Sequence, residues 1–439
     1  MRGVRVWARV LGVEGAVVKG VRLEQEQALE VLVVTVRPGW KQRGRCGICR
    51  RRCPGFDGGG GLRRWRALDL GTLRTYLEAD APRVACPEHG VVVAAVPWAR
   101  HDARSTRSFD DTVAWLATHC SKAAVGQLMR VSWRTVGRII TRVVEEAATQ
   151  TDRLEGLRRI GIDEISHRKG HRYLTVVVDH DSGRLVWAAP GRDSATLDRF
   201  FDLLGPERCE QIRLVSADAA AWIRKAVVAR CPKATLCMDP FHVVQWATEA
   251  LDAVRREVWR AARKAGQTAV ADDLKGARFA LWKNPEDLTE RQQQRLADIQ
   301  RTNAPLYRAY LLKEQLRCAL RRPVHQAMNL LLGWLKWARR SRLEPFVDLA
   351  RTIDDHWDQI AASLQHGLSN ARVESLNTRL RLITRRSFGF HSPEAVIALA
   401  MLSLGGLARH CPDAADATHK RSGEPHNRAA VEEEPRAGN

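Results

Sequence analysis

Residues 158–166 read "RRIGIDEIS". Ile160, Ile162 and Ile165 mark a strand bound for a core, yet Asp163 and Glu164 interrupt it. A buried carboxylate is costly unless a positive partner meets it. The chain carries 71 Lys and Arg against 50 Asp and Glu, a formal charge of +21, so composition does not explain an acid pair here. Side chains alternate across a strand. Alternation sends Glu164 to the face opposite Asp163 and leaves Asp163 as the candidate cation ligand.

The following segments keep the strand period. "RYLTVVVDHDSGRLVWAA" (172–189) reads as two strands joined at Asp181-Ser182-Gly183, and "QIRLVSAD" (211–218) and "ATLCMD" (234–239) as two more. Helices are expected over 194–205 and 219–231. The order β-β-β-α-β-α-β is that of the RNase H-like fold. In that fold a carboxylate on the first strand lies beside one just past the fourth, and a third arrives from a later helix. Asp218 ends the fourth strand, and Glu374 lies in "SNARVESLN" (369–377). Three converging carboxylates cannot all stay ionised without cations. Mg²⁺ (or Mn²⁺) suits oxygen ligands, and a metal pair would serve in-line phosphoryl displacement. Asp239 in "MDPFHVVQW" competes with Asp218 for the second position. His242, one turn on, is placed to orient a carboxylate or contact a phosphate.

The basic balance points to a nucleic-acid partner. At 439 residues several domains are expected. Apolar runs such as "GVVVAAVPWA" (90–99) are far shorter than the ~20 residues a bilayer needs. The N-terminus lacks the apolar core of a signal peptide, so a cytoplasmic, nucleoid-associated protein is expected. Cys46-x-x-Cys49 and Cys86-x-x-His89 flank a loop with four consecutive glycines, 58–61. Two such knuckles make a zinc ribbon, with Cys53 competing with His89 as fourth ligand. The six scattered cysteines read as buried thiols rather than a disulfide framework. Residues 121–148 give helix, short turn, helix. Ser132 is the N-cap, Val136, Ile139, Ile140 and Val143 form the inward stripe, and Arg134, Arg138 and Arg142 the outer face of a recognition helix.

The fold class is therefore α+β multidomain. A zinc-ribbon domain is expected over 1–100 and a helix-turn-helix over 101–152. An RNase H-like α/β core follows over 153–245, interrupted by an all-helical insertion over 246–366 and completed by helices over 367–410. A polar tail over 411–439 reads as disordered.

The knuckles, the helix-turn-helix, "GIDEISHRKGHRYLTVVVD", "MDPFHVV" and "SNARVESLN…RRSFGF" resemble the transposases of the ISL-three insertion-sequence family, from roughly residue 40 to 405. That resemblance implies a DDE transposase with Asp163, Asp218 and Glu374 as its triad, "DPFH" at Asp239 and His242 as its Asp-x-x-His motif, and the helical insertion between the second Asp and the Glu. The second knuckle departs from the expected Cys-x-x-Cys, and Trp222 as the aromatic after the second Asp is a smaller departure. The implied activity is binding of terminal inverted repeats, metal-dependent strand cleavage and strand transfer by a dimer or larger assembly on double-stranded DNA. Arg385 and Arg386 would hold phosphates. The rival readings are a catalytically inactive DNA-binding regulator and a structure-selective nuclease on the same fold.

Overall fold

Strand-forming sequence falls in two stretches, and each builds its own sheet system. The computed structural model describes residues 2–407, apart from 27, 28, 169, 388, 389 and 391. The tail expected to be disordered, 411–439, lies outside the described residues. Two compact units result, one ending at Thr151 and one over Asp152–Gly405.

In the first unit, α1 (Arg2–Val10) precedes β1 (Ala16–Glu26) and β2 (Leu29–Pro38), an antiparallel pair. Then come β3 (Gly55–Asp57), β4 (Leu62–Arg66), β5 (Arg74–Asp80), β6 (Arg83–Cys86) and β7 (Gly90–Val93). One sheet has the order β1-β2-β5-β4 and a smaller one β3-β6-β7. Val31 and Val33 are buried on one face of β2, and Leu32, Val34 and Val36 on the other, as the continuous β-branched run predicts. Leu29 opens the strand and is exposed.

Helices α2 (Arg107–His119), α3 (Lys122–Met129) and α4 (Trp133–Gln150) complete this unit. The Ser121 hydroxyl accepts from the Ala124 N–H, and the Ser132 hydroxyl from the Thr135 N–H, so both turns start with a side-chain cap. Arg130 ends α3 in the left-handed region (φ 54°), which makes the turn tight. Val136, Ile139, Ile140 and Val143 are buried as expected.

The second unit runs β8 (Arg159–Arg168), β9 (Arg172–Asp179), β10 (Leu185–Pro190), α5 (Ser194–Leu204), α6 (Pro206–Cys209), β11 (Leu214–Ala217), α7 (Ala221–Arg230) and β12 (Thr235–Met238). The sheet order is β10-β9-β8-β11-β12. Strands β8, β11 and β12 are mutually parallel; β9 and β10 are antiparallel additions. Phe200, Phe201, Ile223 and Val227 from α5 and α7 bury Ile160, Ile162, Val177 and Val215 on one face.

A helical stretch follows: α8 (Pro240–Lys264), α9 (Thr268–Gly276), α10 (Arg278–Trp282), α11 (Glu290–Thr302), α12 (Ala304–Ala319), α13 (Val324–Arg339), α14 (Glu344–Asp355) and α15 (Trp357–His366). It has its own core, with Trp334 and Phe346 fully buried. The chain then returns to the sheet with α16 (Ala371–Arg386) and α17 (Pro393–Leu404). Of the scattered cysteines, Cys209, Cys231 and Cys237 are buried, but Cys120 and Cys318 are exposed, because each sits at the end of a helix rather than on its packed face. Among the described residues no helix is long and apolar enough to cross a membrane.

Helix α16 rests on β8 where the strand has no side chain. A Cβ at Gly161 would stand 2.8 Å from His180 Nε2 and 3.2 Å from Ser216 Oγ, and closer still to Val373 Cγ2. Overpacking of this kind costs about 1–3 kcal/mol. Gly161→Ala should therefore lower the stability of the second unit by that order in thermal or urea denaturation, and Val373→Ala in the same chain should restore part of it. Equal stability of Gly161→Ala and wild type would remove the close approach as a constraint.

Candidate functional site

The parallel strands bring their carboxyl ends together, and acids sit there. Asp163 is on β8, Asp218 follows β11 directly and Asp239 follows β12 directly. Open parallel sheets bind ligands outside these ends. Glu374 comes from the first turn of α16. These four acids and His242 line one cavity of about 690 Å³.

Helix α16 is tied to the sheet by buried polar groups. Asn370 Oδ1 accepts from the Ser216 hydroxyl, and that hydroxyl in turn lies 2.6 Å from His180 Nε2. Since Ser216 spends its proton on Asn370, His180 must donate from Nε2. Burial, then Arg372 and Arg159, pulls the His180 pKa down to about 4, so the ring is neutral. The Arg372 guanidinium donates to the His180 carbonyl oxygen.

Within the cavity, Asp163 Oδ1 accepts from the Glu164 N–H at 2.7 Å and Oδ2 from Asn377 Nδ2 at 2.7 Å. Burial first, then the charges of Asp218 and Glu374, pushes the Asp163 pKa up to about 6, against a pull from His242. Asp218 Oδ1 accepts from the Ala220 N–H, and Glu374 pairs with Arg381 at 3.1 Å. Asp239 is more committed. It caps α8 through the Phe241 N–H, accepts from the Asn370 N–H, and stands 3.6 Å from His242 Nδ1. That carboxylate beside the ring is the first cause of the raised His242 pKa.

Two expectations need correction. Glu164 lines the same cavity as Asp163. Strand β8 pairs with β11 only over Arg159–Gly161 and runs on past it, so at position 164 no neighbouring strand holds the two faces apart on that side. Burial, then Asp218, pushes Glu164 up to about 7, against its ion pair with Arg192. Arg142 does not share the outer face of α4 with Arg134 and Arg138. It reaches inward to Asp110, which is 0% exposed, at 2.9 Å. At about 100° per residue, eight residues rotate a side chain about 80° from where it began. Arg134 and Arg138 are exposed. Arg385 and Arg386 close α16, Arg385 exposed and Arg386 half-buried. A smaller cleft of about 300 Å³, lined by His167, His171, Arg172, Tyr173 and Arg192, was not foreseen. Its residues meet only when β8, β9 and the end of β10 align.

One group of His, Cys, Asp and Glu ligand atoms lies within 4.8 Å of one another among the described residues: Cys46, Cys49, Cys86 and His89. The acids around the cavity stand further apart. Cys49 Sγ is 3.7 Å from Cys86 Sγ, and Cys86 Sγ is 3.5 Å from His89 Nδ1. A tetrahedral zinc with bonds of 2.3 Å spaces its sulfurs about 3.8 Å apart. The donor set and spacing fit structural zinc. His89, rather than Cys53, is the fourth member of this group; the Cys53 thiol donates to the Arg51 carbonyl.

Zinc ribbon, helix-turn-helix and acid-lined sheet together define a DNA-processing enzyme. A family model described as "Transposase" matches residues 160–400, the helix-turn-helix domain of transposase family ISL3 matches 94–144, and the zinc finger of the IS204/IS1001/IS1096/IS1165 transposases matches 42–89. The chain belongs to the ISL3 family of insertion-sequence transposases. It is 54% identical over 428 residues to the transposase for insertion sequence element IS1557 of Mycobacterium tuberculosis, covering 92% of this chain and 96% of that one. It is 27% identical over 354 residues to the transposase for IS1001 of Bordetella parapertussis, covering 79% and 86%.

Elemental analysis should find about one zinc per chain. Cys49→Ser and Cys86→Ser should lose it and Cys53→Ser should keep it; zinc lost with Cys53→Ser would restore Cys53 as a ligand. A second expectation concerns pH. Asp163, Glu164 and His242 all hold their proton more tightly folded than unfolded. Between pH about 4 and 7 the folded state binds more protons, so their contribution to stability falls as pH rises. Without added divalent cation, Asp163→Asn should melt above wild type at pH 8, with the advantage shrinking by about half at pH 5 and nearly gone by pH about 4. A difference independent of pH would refute the assignment.

Proposed function

We propose that this chain is a DDE-type DNA transposase that binds the terminal inverted repeats of its insertion sequence, cleaves a strand at each end and joins the freed 3′-hydroxyl to target DNA. The observation that carries this reading is the meeting of Asp163, Asp218 and Glu374 at one cavity, with Asp218 and Glu374 each raising the Asp163 pKa. The strand order and the acids at the carboxyl ends support an RNase H-like core, and α8–α15 support a helical insertion between Asp218 and Glu374.

Magnesium or manganese fits the cavity. Its donors are oxygens, and burial together with the neighbouring acids pushes Asp163 up to about 6 and Glu164 up to about 7, the latter even beside Arg192. Asp163, Asp218 and Glu374 would hold the ions. When bound, such ions supply activation of the attacking oxygen and stabilisation of the leaving oxygen in an in-line phosphoryl displacement. The chain's own residues hold the rest. His242, inclined toward its charged form by Asp239, faces the phosphate as a positive group. Because Asp239 serves His242, Asn370 and the start of α8, Asp218 is the second ligand. Tyr173 and the basic side chains of the neighbouring cleft suit DNA flanking the reacting phosphate. Arg134 and Arg138 on α4 suit the major groove, and Arg385 and Arg386 suit the backbone near α16. Both transposon ends must be cut together, which calls for a dimer or larger assembly on the nucleoid DNA of the cytoplasm.

The test is incubation with DNA carrying the element's own ends, Mg²⁺ or Mn²⁺, and a sequencing gel. Wild type should cleave and then join. Asp163→Asn, Asp218→Asn and Glu374→Gln should each lose at least about 10³-fold in rate while binding the ends normally, whereas Asp239→Asn should be impaired but active. Binding should weaken steeply with salt. Cleavage retained by Asp163→Asn would sink the reading. Cleavage without joining would indicate a nuclease, and binding alone a regulator.

A further inference from the structure

Asn377 is 1% exposed, in the middle of α16. Asparagine is a poor helix-interior residue, and this one is badly provided for. Its Nδ2 donates to Asp163 Oδ2 at 2.7 Å, across 214 residues of chain, while its Oδ1 has no partner among the described residues. An orphaned buried oxygen costs stability. A leucine would match the neighbouring Val373, Leu376 and Leu380, all buried on the same helix. Packing therefore does not account for an amide here.

The contact itself does. Resting on the catalytic reading above, we infer that Asn377 is a positioning residue, whose side-chain amide sets the plane of the Asp163 carboxylate to receive a divalent cation. Two N–H groups hold that carboxylate, the Glu164 backbone on Oδ1 and Asn377 on Oδ2. Each oxygen keeps a further lone pair for the cavity. With both oxygens tethered, rotation about the carboxylate bond is stopped before a cation arrives. Partners of this kind orient metal-ligating carboxylates. The amide is also neutral. A lysine or arginine at this position would orient Asp163 equally but cancel its charge and compete with the cation. Asn377 stands three residues after Glu374, on the same turn of α16. One helix thus delivers the last carboxylate and aligns the first, so both arrive in register or neither does.

The experiment compares wild type, Asn377→Leu, Asn377→Ala and Asp163→Asn as full-length, zinc-loaded proteins. Free Mn²⁺ is followed by its electron paramagnetic resonance signal during titration, and melting temperature is measured on the same samples. The Mn²⁺ uptake that Asp163→Asn abolishes defines the site. Asn377→Leu should weaken that uptake about 10- to 100-fold while melting at the wild-type temperature or above, and Asn377→Ala should weaken it likewise. A packing role predicts the reverse, a lower melting temperature with uptake unchanged, and that result overturns the inference alone. Should wild type show no uptake that depends on Asp163, the catalytic reading falls and this inference falls with it.

Discussion

The acid cavity depends on a bare patch of strand. Helix α16 can lie against β8 only because Gly161 has no side chain where Val373, His180 and Ser216 crowd in. Dispersion holds the helix there, but dispersion has no direction. Direction comes from the buried polar run of His180, Ser216 and Asn370, with Arg372 on the His180 carbonyl. Such a network is stabilising only when its members are matched, so it admits few registers. In the observed register Glu374 faces the cavity and Asn377 faces Asp163.

Crowding has an electrostatic consequence. Asp163 and Glu164 are both buried enough, and near enough to Asp218, to hold protons that ordinary carboxylates would have released. Arginines already stand at the margin, with Arg192 on Glu164 and Arg381 on Glu374. Both guanidiniums are about half exposed, and the Arg381–Glu374 pair, exposed at both ends, contributes little to stability. They are well suited to change partners when an anionic backbone and its cations enter. The overall charge of +21 suits an anionic partner, and the acid cavity is a local exception to it.

Much of this was readable in the sequence. Asp163 betrays itself by breaking an isoleucine strand, and the order of strands and helices follows from period alone. The Ser132 cap and the stripe from Val136 to Val143 are local, and both are observed. What escaped is tertiary. Glu164 reaches the cavity because β11 ends early, a fact about a neighbour rather than about β8. Arg142 turns inward because Asp110, a full helix away in sequence, lies buried beneath it. Asn377 and His180 carry no local signal, since their partners are fixed only when α16 docks.

Two clusters of ligand-bearing side chains among the described residues illustrate why donor chemistry can be read from sequence while geometry cannot. The cysteine and histidine donors of the ribbon are close enough to complete a tetrahedron, with nothing left open. That closure suits a structural ion. The cavity acids are hard oxygens spread around a wider space, as an open site for hard cations and a phosphate requires. Thiolates favour zinc over magnesium, whereas carboxylate oxygens suit magnesium and manganese. Knuckle spacing announces the first cluster because its ligands lie two residues apart. The second assembles acids from three strand ends and a helix, and only the seat at Gly161 makes them one site.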